Sequence, residues 1–278
     1  MIPPVARRFV AGETREGAIE RARALNDRGI GAILNLLGEH YGERASADAD
    51  VAAYRALLDA VDEAGVRARL SVKPSQLGLR VGETVFRENA RAVVEAAVEH
   101  DAFVWFDMED RRTTDATLDA FEAMTEVHPD GVGVCLQANL KRTPDDLDRL
   151  AGLPGRFRLV KGAYDEPAAV AHADRRRVNR AYRELLGQAI REHDGGVAVG
   201  SHDPEMVDHA IGLAADHGTD LEIQMLMGVR EDAQTALAAD HEVWQYVPYG
   251  SRWLSYFWRR VTERKGNLLF ALRAVLGR

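Results

Sequence analysis

Residues 158–167 read RLVKGAYDEP, and this stretch sets how the rest of the chain is understood. An apolar, strand-like start, Phe157 to Val160, runs into a lysine, a glycine and a tyrosine. Arg158 sits inside that β-run, where a guanidinium is costly to bury unless something anionic or electron-rich meets it. Gly162 permits close approach of the backbone to a ligand, and Lys161 and Tyr164 supply donors at the same level. A strand followed by a charged loop would explain the apolar part but not this crowding of functional types.

Outward from this stretch, short apolar runs alternate with amphipathic segments. Strands are expected at Ala32–Leu37, Ala68–Lys73, Phe103–Met108, Val132–Gln137, Phe157–Val160, Val197–Ser201, Leu221–Met225 and Val243–Val247. Between them the apolar spacing predicts helices, from Glu13–Arg28 through Asp48–Ala64, Glu83–His100, Thr114–Val127, Thr143–Leu150, Asp174–Glu192 and Pro204–His217 to Glu231–Ala239. Strands that are apolar throughout and separated by helices are parallel and covered on both faces. Eight such units fill the length of one closed (βα)8 barrel, an α/β fold of the TIM type. A doubly wound open sheet is the competing architecture, but the first strand–helix turn lacks a dinucleotide-binding glycine pattern. No linker or composition break divides the chain, so residues 1–278 are expected to form one domain.

After the eighth strand comes SRWLSYFWRRVTE (251–263), apolar nearly all round, and then an amphipathic segment, Leu268 to Leu276. The first is expected to lie across the barrel mouth, and the second to pack on the barrel wall.

Bulk properties narrow the function. A net charge of −8 and the lack of a basic stripe argue against nucleic acid as a partner. The single cysteine, Cys135, excludes an internal disulfide and sits in an apolar run, so it reads as inert core. No zinc-spaced cysteine set appears, and no metal is expected. With no signal-peptide core and no apolar run of 18 residues, the chain is expected in the cytoplasm, with any membrane contact peripheral at its inner face. Only four lysines occur, and two of them, Lys73 and Lys161, lie at the ends of apolar strands.

Chemistry-bearing residues gather where a barrel builds its site, at the carboxyl ends of the strands. Glu39 follows strand one and Lys73 ends strand two; Asp107 with Glu109 and Asp110 ends strand three; Gln137 ends strand four. Arg158 to Tyr164 surround strand five, Ser201, His202 and Asp203 end strand six, Gln224 lies in strand seven and Tyr246 in strand eight. Asp203-Pro204 alone reads as a helix N-cap, and His202 alone as a satisfied polar residue. Their convergence in one polar mouth is the stronger signal.

In order along the chain stand RRFVAGET (7–14), LLGE (36–39), SVKPSQLG (71–78), FDMED (106–110), GVCLQANL (133–140), RLVKGAYDEP, GSHD (200–203), LEIQMLMGV (221–229) and YVPYGSRWLSYFWRRVTER (246–264). These stretches resemble the motifs of the flavin-dependent proline dehydrogenase family, in its single-function form without an attached aldehyde dehydrogenase. The resemblance implies a distorted barrel holding FAD at its mouth, oxidation of L-proline to 1-pyrroline-5-carboxylate, and electrons passed to a membrane quinone. It also implies roles. Lys73, Arg259 and Arg260 match the binders of the substrate carboxylate. Asp107 and Arg158 match the catalytic acid and the arginine near flavin N5. Met108, Gln137, Lys161, Gly162, Ala163, Ser201, His202 and Gln224 match FAD contacts. Tyr164, Leu226 and Tyr246 match the walls around the proline ring, and Tyr246 favours proline over hydroxyproline.

The residues themselves agree with that chemistry. Guanidinium forks and an ammonium suit a carboxylate. On a helix, Glu263 is placed to orient Arg259 or Arg260, with Asp107 and Glu39 as further carboxylates. A cation near the flavin, here Arg158, stabilises its reduced anion. Four positions depart from the family pattern: Pro74, Asn139, Ser201 and Met227. Three rivals remain open on sequence: an aldolase-type barrel with a Schiff base on Lys73 or Lys161, a barrel that only binds an amino acid or flavin, and a methylenetetrahydrofolate reductase-type flavin barrel reduced by NADH.

Overall fold

The computed structural model describes residues 2–4 and 6–257. Eight strands close into one parallel barrel in simple sequence order, β1 beside β2 and so on around to β8 beside β1. They are β1 Gly31–Leu36, β2 Ala68–Val72, β3 Val104–Phe106, β4 Val132–Gln137, β5 Arg156–Val160, β6 Val197–Gly200, β7 Leu221–Leu226 and β8 Glu242–Tyr249. The helices are α1 Arg15–Asn26, α2 Arg44–Ala64, α3 Glu83–Glu99, α4 Thr114–Thr125, α5 Thr143–Leu150, α6 Arg175–Glu192, α7 Pro204–His217 and α8 Glu231–Leu237. The open-sheet alternative is thereby excluded.

Local chemistry sets the helix ends. Thr14, Asp174 and Asp203 cap α1, α6 and α7, each accepting a backbone N–H of the first turn. Gly65 and Gly218 close α2 and α7 in left-handed conformation, at φ 60° and 68°. The expected helices therefore begin or end within a few residues of their observed limits. Helix α2 starts four residues earlier than expected, at Arg44, and β3, expected to run to Met108, leaves the ladder after Phe106. Asp107 still donates its N–H to Val72 O at 2.9 Å, and the chain then turns outward to form a wall. Conversely β8 runs on to Tyr249, paired along the whole of β1.

The alternation of strand side chains separates two interiors. Outward residues such as Leu34, Leu70, Val104, Phe157 and Val243 pack on the helices in the main core. Each fully buried aliphatic side chain there contributes about 1.5–3 kcal/mol. The inward set is unlike the usual layers of branched aliphatics. It holds Ile33, Phe103, Trp105, Ala198 and Trp244 as one apolar cluster, together with buried Asn35, Ser71, Arg158, Glu222 and Gln224.

Beyond β8, residues 253–257 are helical, and Tyr256 and Phe257 are buried against Ile2, Ala6, Val10 and Leu37. Tyr256 also reaches the wall of the cavity at the barrel mouth, where the sequence places a covering helix. The rest of that expected helix, with Arg259, Arg260 and Glu263, lies outside the described residues, as does the expected segment Leu268–Leu276. Among the described residues no helix is long and apolar enough to cross a membrane.

Candidate active site

A cavity of about 750 Å3 opens at the carboxyl ends of the strands, well within the roughly 300–1,000 Å3 of small-molecule sites. Its wall includes Lys73 from β2–α3, Asp107, Met108 and Glu109 from β3–α4, and Cys135 and Arg158 from β4 and β5. Lys161, Gly162, Ala163 and Tyr164 line it from the loop after β5, Ser201, His202 and Asp203 from the loop after β6, and Gln224, Leu226 and Tyr246 from β7 and β8.

Asp107 is the hub. Its Oδ1 accepts from Ser71 Oγ and from Arg158 Nη1, both at 2.7 Å. Its Oδ2 accepts from Lys73 Nζ at 2.9 Å and from the Tyr246 hydroxyl at 2.7 Å. Four bonds fill the acceptor capacity of a carboxylate. Burial alone would raise the Asp107 pKa, but Lys73 and Arg158 overcome it and hold the carboxyl well below its usual range. Lys73 shows the mirror image: burial would lower its pKa, and Asp107 instead holds the ammonium above its usual value. Burial and the adjacent Asp107 carboxylate keep the Tyr246 phenol protonated. At neutral pH this is therefore a fixed ionic cluster of two cations and one anion, with an excess positive charge facing the cavity.

The donors of the cluster show where a ligand could enter. Lys73 spends its other two hydrogens on Tyr246 OH at 3.0 Å and on Asn35 Oδ1 at 3.4 Å. The long contact to Asn35 is the one a ligand carboxylate would most easily displace. Arg158, 5% exposed, donates Nε to Gln224 Oε1 at 2.6 Å. Its Nη2 and the Gln224 Nε2 are both buried and meet no acceptor among the described residues. Buried donors without acceptors are rare in folded proteins. Both residues line the cavity, so a ligand rich in hydrogen-bond acceptors would suit them.

In the loops after β5 and β6, Lys161 Nζ donates to Asp203 Oδ2 at 2.6 Å, and the bond to Lys161 holds the Asp203 carboxyl below its usual value. Gly162, at φ 101°, occupies backbone space that a side chain resists, and a Cβ there would collide with the Asn139 carboxamide. Leu226 N donates to His202 Nε2 at 3.2 Å, fixing that ring's acceptor nitrogen. Gln137, expected beside the cofactor, is instead 3% exposed and donates to Glu109 O at 2.7 Å; it is not among the wall residues. Glu39 stands after β1 with ligand atoms of His40 and Glu109 within 4.8 Å.

Several residues carry the site that sequence patterns alone did not single out. Ser71 and Asn35 face inward on their strands by alternation and meet Asp107 and Lys73. Glu166 accepts from Arg111 N at 2.8 Å and pairs with Arg111 Nε at 3.2 Å, tying the loop after β5 to the loop after Asp107. Cys135, read as inert core, is buried yet on the cavity wall, with its pKa pushed up to about 11 by burial.

The fold and this constellation define an α/β-barrel of the enzyme type, with its polar machinery at the carboxyl ends of the strands. A sequence model of the family described as proline dehydrogenase matches residues 18–273, and the chain belongs to that family. It is 36% identical over 280 residues to a proline dehydrogenase of Deinococcus radiodurans, covering 98% of this chain and 90% of that one. It is 34% identical over 275 residues to proline dehydrogenase 1 of Bacillus subtilis, with the same coverage of 98% and 90%. Among solved structures, the proline utilization A (PutA) protein of Bdellovibrio bacteriovorus, captured inactivated by N-propargylglycine, superposes with a TM-score of 0.83 at 19% identity over 92% of this chain. PutA of Bradyrhizobium japonicum gives 0.79 at 22% identity over 96%. This chain spans about a third of the length of those PutA chains, 32% and 31%, so they inform on the fold.

Proposed function

We propose that the chain oxidises L-proline to 1-pyrroline-5-carboxylate, using FAD, with a quinone as electron acceptor. The observation that carries the reading is the Lys73–Asp107–Tyr246–Arg158 network, with two buried, unspent donors beside it on a cavity wall. Bound FAD would supply the electron-accepting ring that takes a hydride from the carbon next to the amine.

The chain's own residues then divide the work. Arg158 Nη2 and Gln224 Nε2 donate to the acceptor edge of the cofactor, and the guanidinium favours negative charge developing there. Met108, Lys161, Gly162, Ala163, Ser201 and His202 form the cofactor's wall, and Gln137 supports it from beneath through Glu109. Lys73, with Arg259 and Arg260, holds the proline carboxylate; Glu39 and Glu263 are the carboxylates that orient those arginines. Tyr164, Leu226 and Tyr246 enclose the ring. Asp107, which the resemblance matches to the catalytic acid, is held ionised by Lys73 and Arg158 and here anchors those two cations. A quinone acceptor places the chain peripherally at the inner face of a membrane.

The aldolase-type alternative needs a neutral lysine nucleophile. Asp107 holds Lys73 protonated, which disfavours a Schiff base on that lysine; for Lys161 the borohydride test below decides. The deciding experiment is anaerobic titration of purified protein with L-proline and, separately, with NADH. Bleaching of the visible flavin band by proline supports the reading. Bleaching by NADH alone, or colourless protein trapped by borohydride with a carbonyl substrate, overturns it. In addition, Arg259→Met or Arg260→Met should raise KM for proline by the equivalent of about 2–4 kcal/mol with FAD still bound. An unchanged KM removes the carboxylate assignment.

A further inference from the structure

Trp105 touches the site, yet none of the chemistry above uses it. It is fully buried on the inward face of β3. The Arg158 guanidinium lies over its ring, 4.4 Å from the centroid. Two independent features mark this contact as built. The indole Nε1–H is buried and meets no acceptor among the described residues, a cost that a phenylalanine would avoid. Room for the ring is cleared by Gly133, its neighbour across the β3–β4 ladder. A Cβ on Gly133 would stand 2.5 Å from the indole Cζ3.

What the indole offers in return is its face, the strongest aromatic partner for a cation. Two hydrogen bonds from different sides of the guanidinium, Nε to Gln224 and Nη1 to Asp107, fix where the Arg158 head sits. Hydrogen bonds of this kind resist movement perpendicular to the guanidinium plane only weakly. The ring stacked on that plane limits such movement, and with it the displacement of the unspent Nη2. Phe103 packs against the indole at 5.0 Å between centroids, and Arg69 lies over Phe103 at 4.6 Å, one step further from Arg158 in the same column.

We propose that Trp105 is a positioning residue for the oxidation, holding the plane of Arg158 so that its remaining donor faces the cofactor. This rests on the proposed proline oxidation. The test compares Trp105→Leu with Phe103→Leu, one step lower in the same column, and with Trp105→Leu in an Arg158→Lys background. The readouts are kcat, KM for proline, the midpoint potential of the bound flavin, and urea unfolding. Trp105→Leu should lower kcat about tenfold, leave KM for proline within about twofold, and shift the potential downward. Phe103→Leu should cost stability while kcat and potential stay at the wild-type values. In the Arg158→Lys background, Trp105→Leu should add no further loss.

The proposal is overturned if Trp105→Leu behaves as Phe103→Leu does, or if its full effect persists without Arg158. Should Trp105→Leu fold poorly, Gly133→Ala displaces the ring without removing it and should reproduce the fall in kcat; wild-type kcat there also overturns the proposal. If proline fails to bleach the wild-type flavin, the reaction assigned above is wrong. The stack is then judged from the unfolding cycle of Trp105→Leu and Arg158→Lys, where coupling supports it and additivity refutes it.

Discussion

At the carboxyl end of the strands Asp107 is clasped by Lys73 and Arg158; at the amino end Glu222 is clasped by Arg69 and Arg156. The floor pair is as tightly made as the mouth pair. Arg69 Nη1 reaches both Glu222 oxygens, at 2.8 and 2.6 Å, and Arg156 Nη1 lies 3.5 Å away. Arg69 is also sandwiched by aromatics, 3.9 Å from the Trp244 centroid and 4.6 Å from that of Phe103. The difference is in what is left over. At the mouth a cavity meets two buried donors that have no acceptor. At the floor Trp244 is packed into the bore, with Gly31 making room for its ring. Its indole N–H is also buried without an acceptor among the described residues, but Trp244 is not among the residues of the mouth cavity. Buried charge alone therefore does not mark a site in this barrel; unspent donors beside open space do.

That contrast is broken most directly by removing the carboxylates. Asp107→Ala leaves two buried cations uncompensated, so unfolding in urea should show a loss of about 3–5 kcal/mol, and proline oxidation should vanish. Replacing the floor pair together, Arg69→Met with Glu222→Leu, should leave stability near wild type or above it by about 1–4 kcal/mol. Turnover with proline should be unchanged. Loss of turnover in the floor variant would show that the two ends are not separable.

A smaller effect sharpens the mouth alone. Tyr246→Phe removes a hydroxyl that bonds the ionised Asp107, and kcat/KM for proline should fall by the equivalent of about 1.5–3 kcal/mol. The pH dependence follows from signs. The Asp107 pKa is lowered on folding, so its contribution to stability is complete above the ordinary carboxyl value of about 4 and drains away as pH falls toward the lower folded value. The Lys73 pKa is raised, so its contribution is complete below about 10 and is lost as pH rises through the higher folded value. Between about pH 5 and 9 neither titrates. The stability difference between wild type and Asp107→Asn should thus shrink as pH falls toward the folded Asp107 value, and again in alkali as wild-type Lys73 deprotonates; a difference that persists undiminished in acid would mean the cluster is not held ionised.

Most of this was legible beforehand because parallel strands buried on both faces leave apolar runs that helices interrupt. The order of eight strands, and the residues at their carboxyl ends, followed from that periodicity. What was not legible depended on inward alternation across strands far apart in sequence. Ser71 and Asn35 are ordinary strand residues until the register puts them beside Asp107 and Lys73. Cys135 looked like core because an apolar run does not say which of its side chains faces the bore. Gln137 ended its strand at the expected level, yet its amide turns to the Glu109 carbonyl, a choice set by the path of the next loop. Glu166 had no partner within reach in sequence, and Arg111 is 55 residues away.

That last contact supports the smallest prediction and bears on why the mouth, unlike the floor, must be assembled from loops. Glu166 fixes the end of the RLVKGAYDEP stretch to the backbone after Asp107, yet Arg111 is 38% exposed, so solvent weakens the charge part of the bond. Glu166→Gln keeps an acceptor for the Arg111 N–H and should cost at most about 1 kcal/mol in urea unfolding. Glu166→Ala frees the loop that carries Tyr164 to the cavity wall. Because Tyr164 is assigned to the substrate ring and not to the Asp107 cluster, the loss should appear in KM for proline, about two- to fourfold, with kcat held. A fall in kcat at constant KM would instead mean that the loop positions Arg158, and would join the two walls of the cavity into one unit.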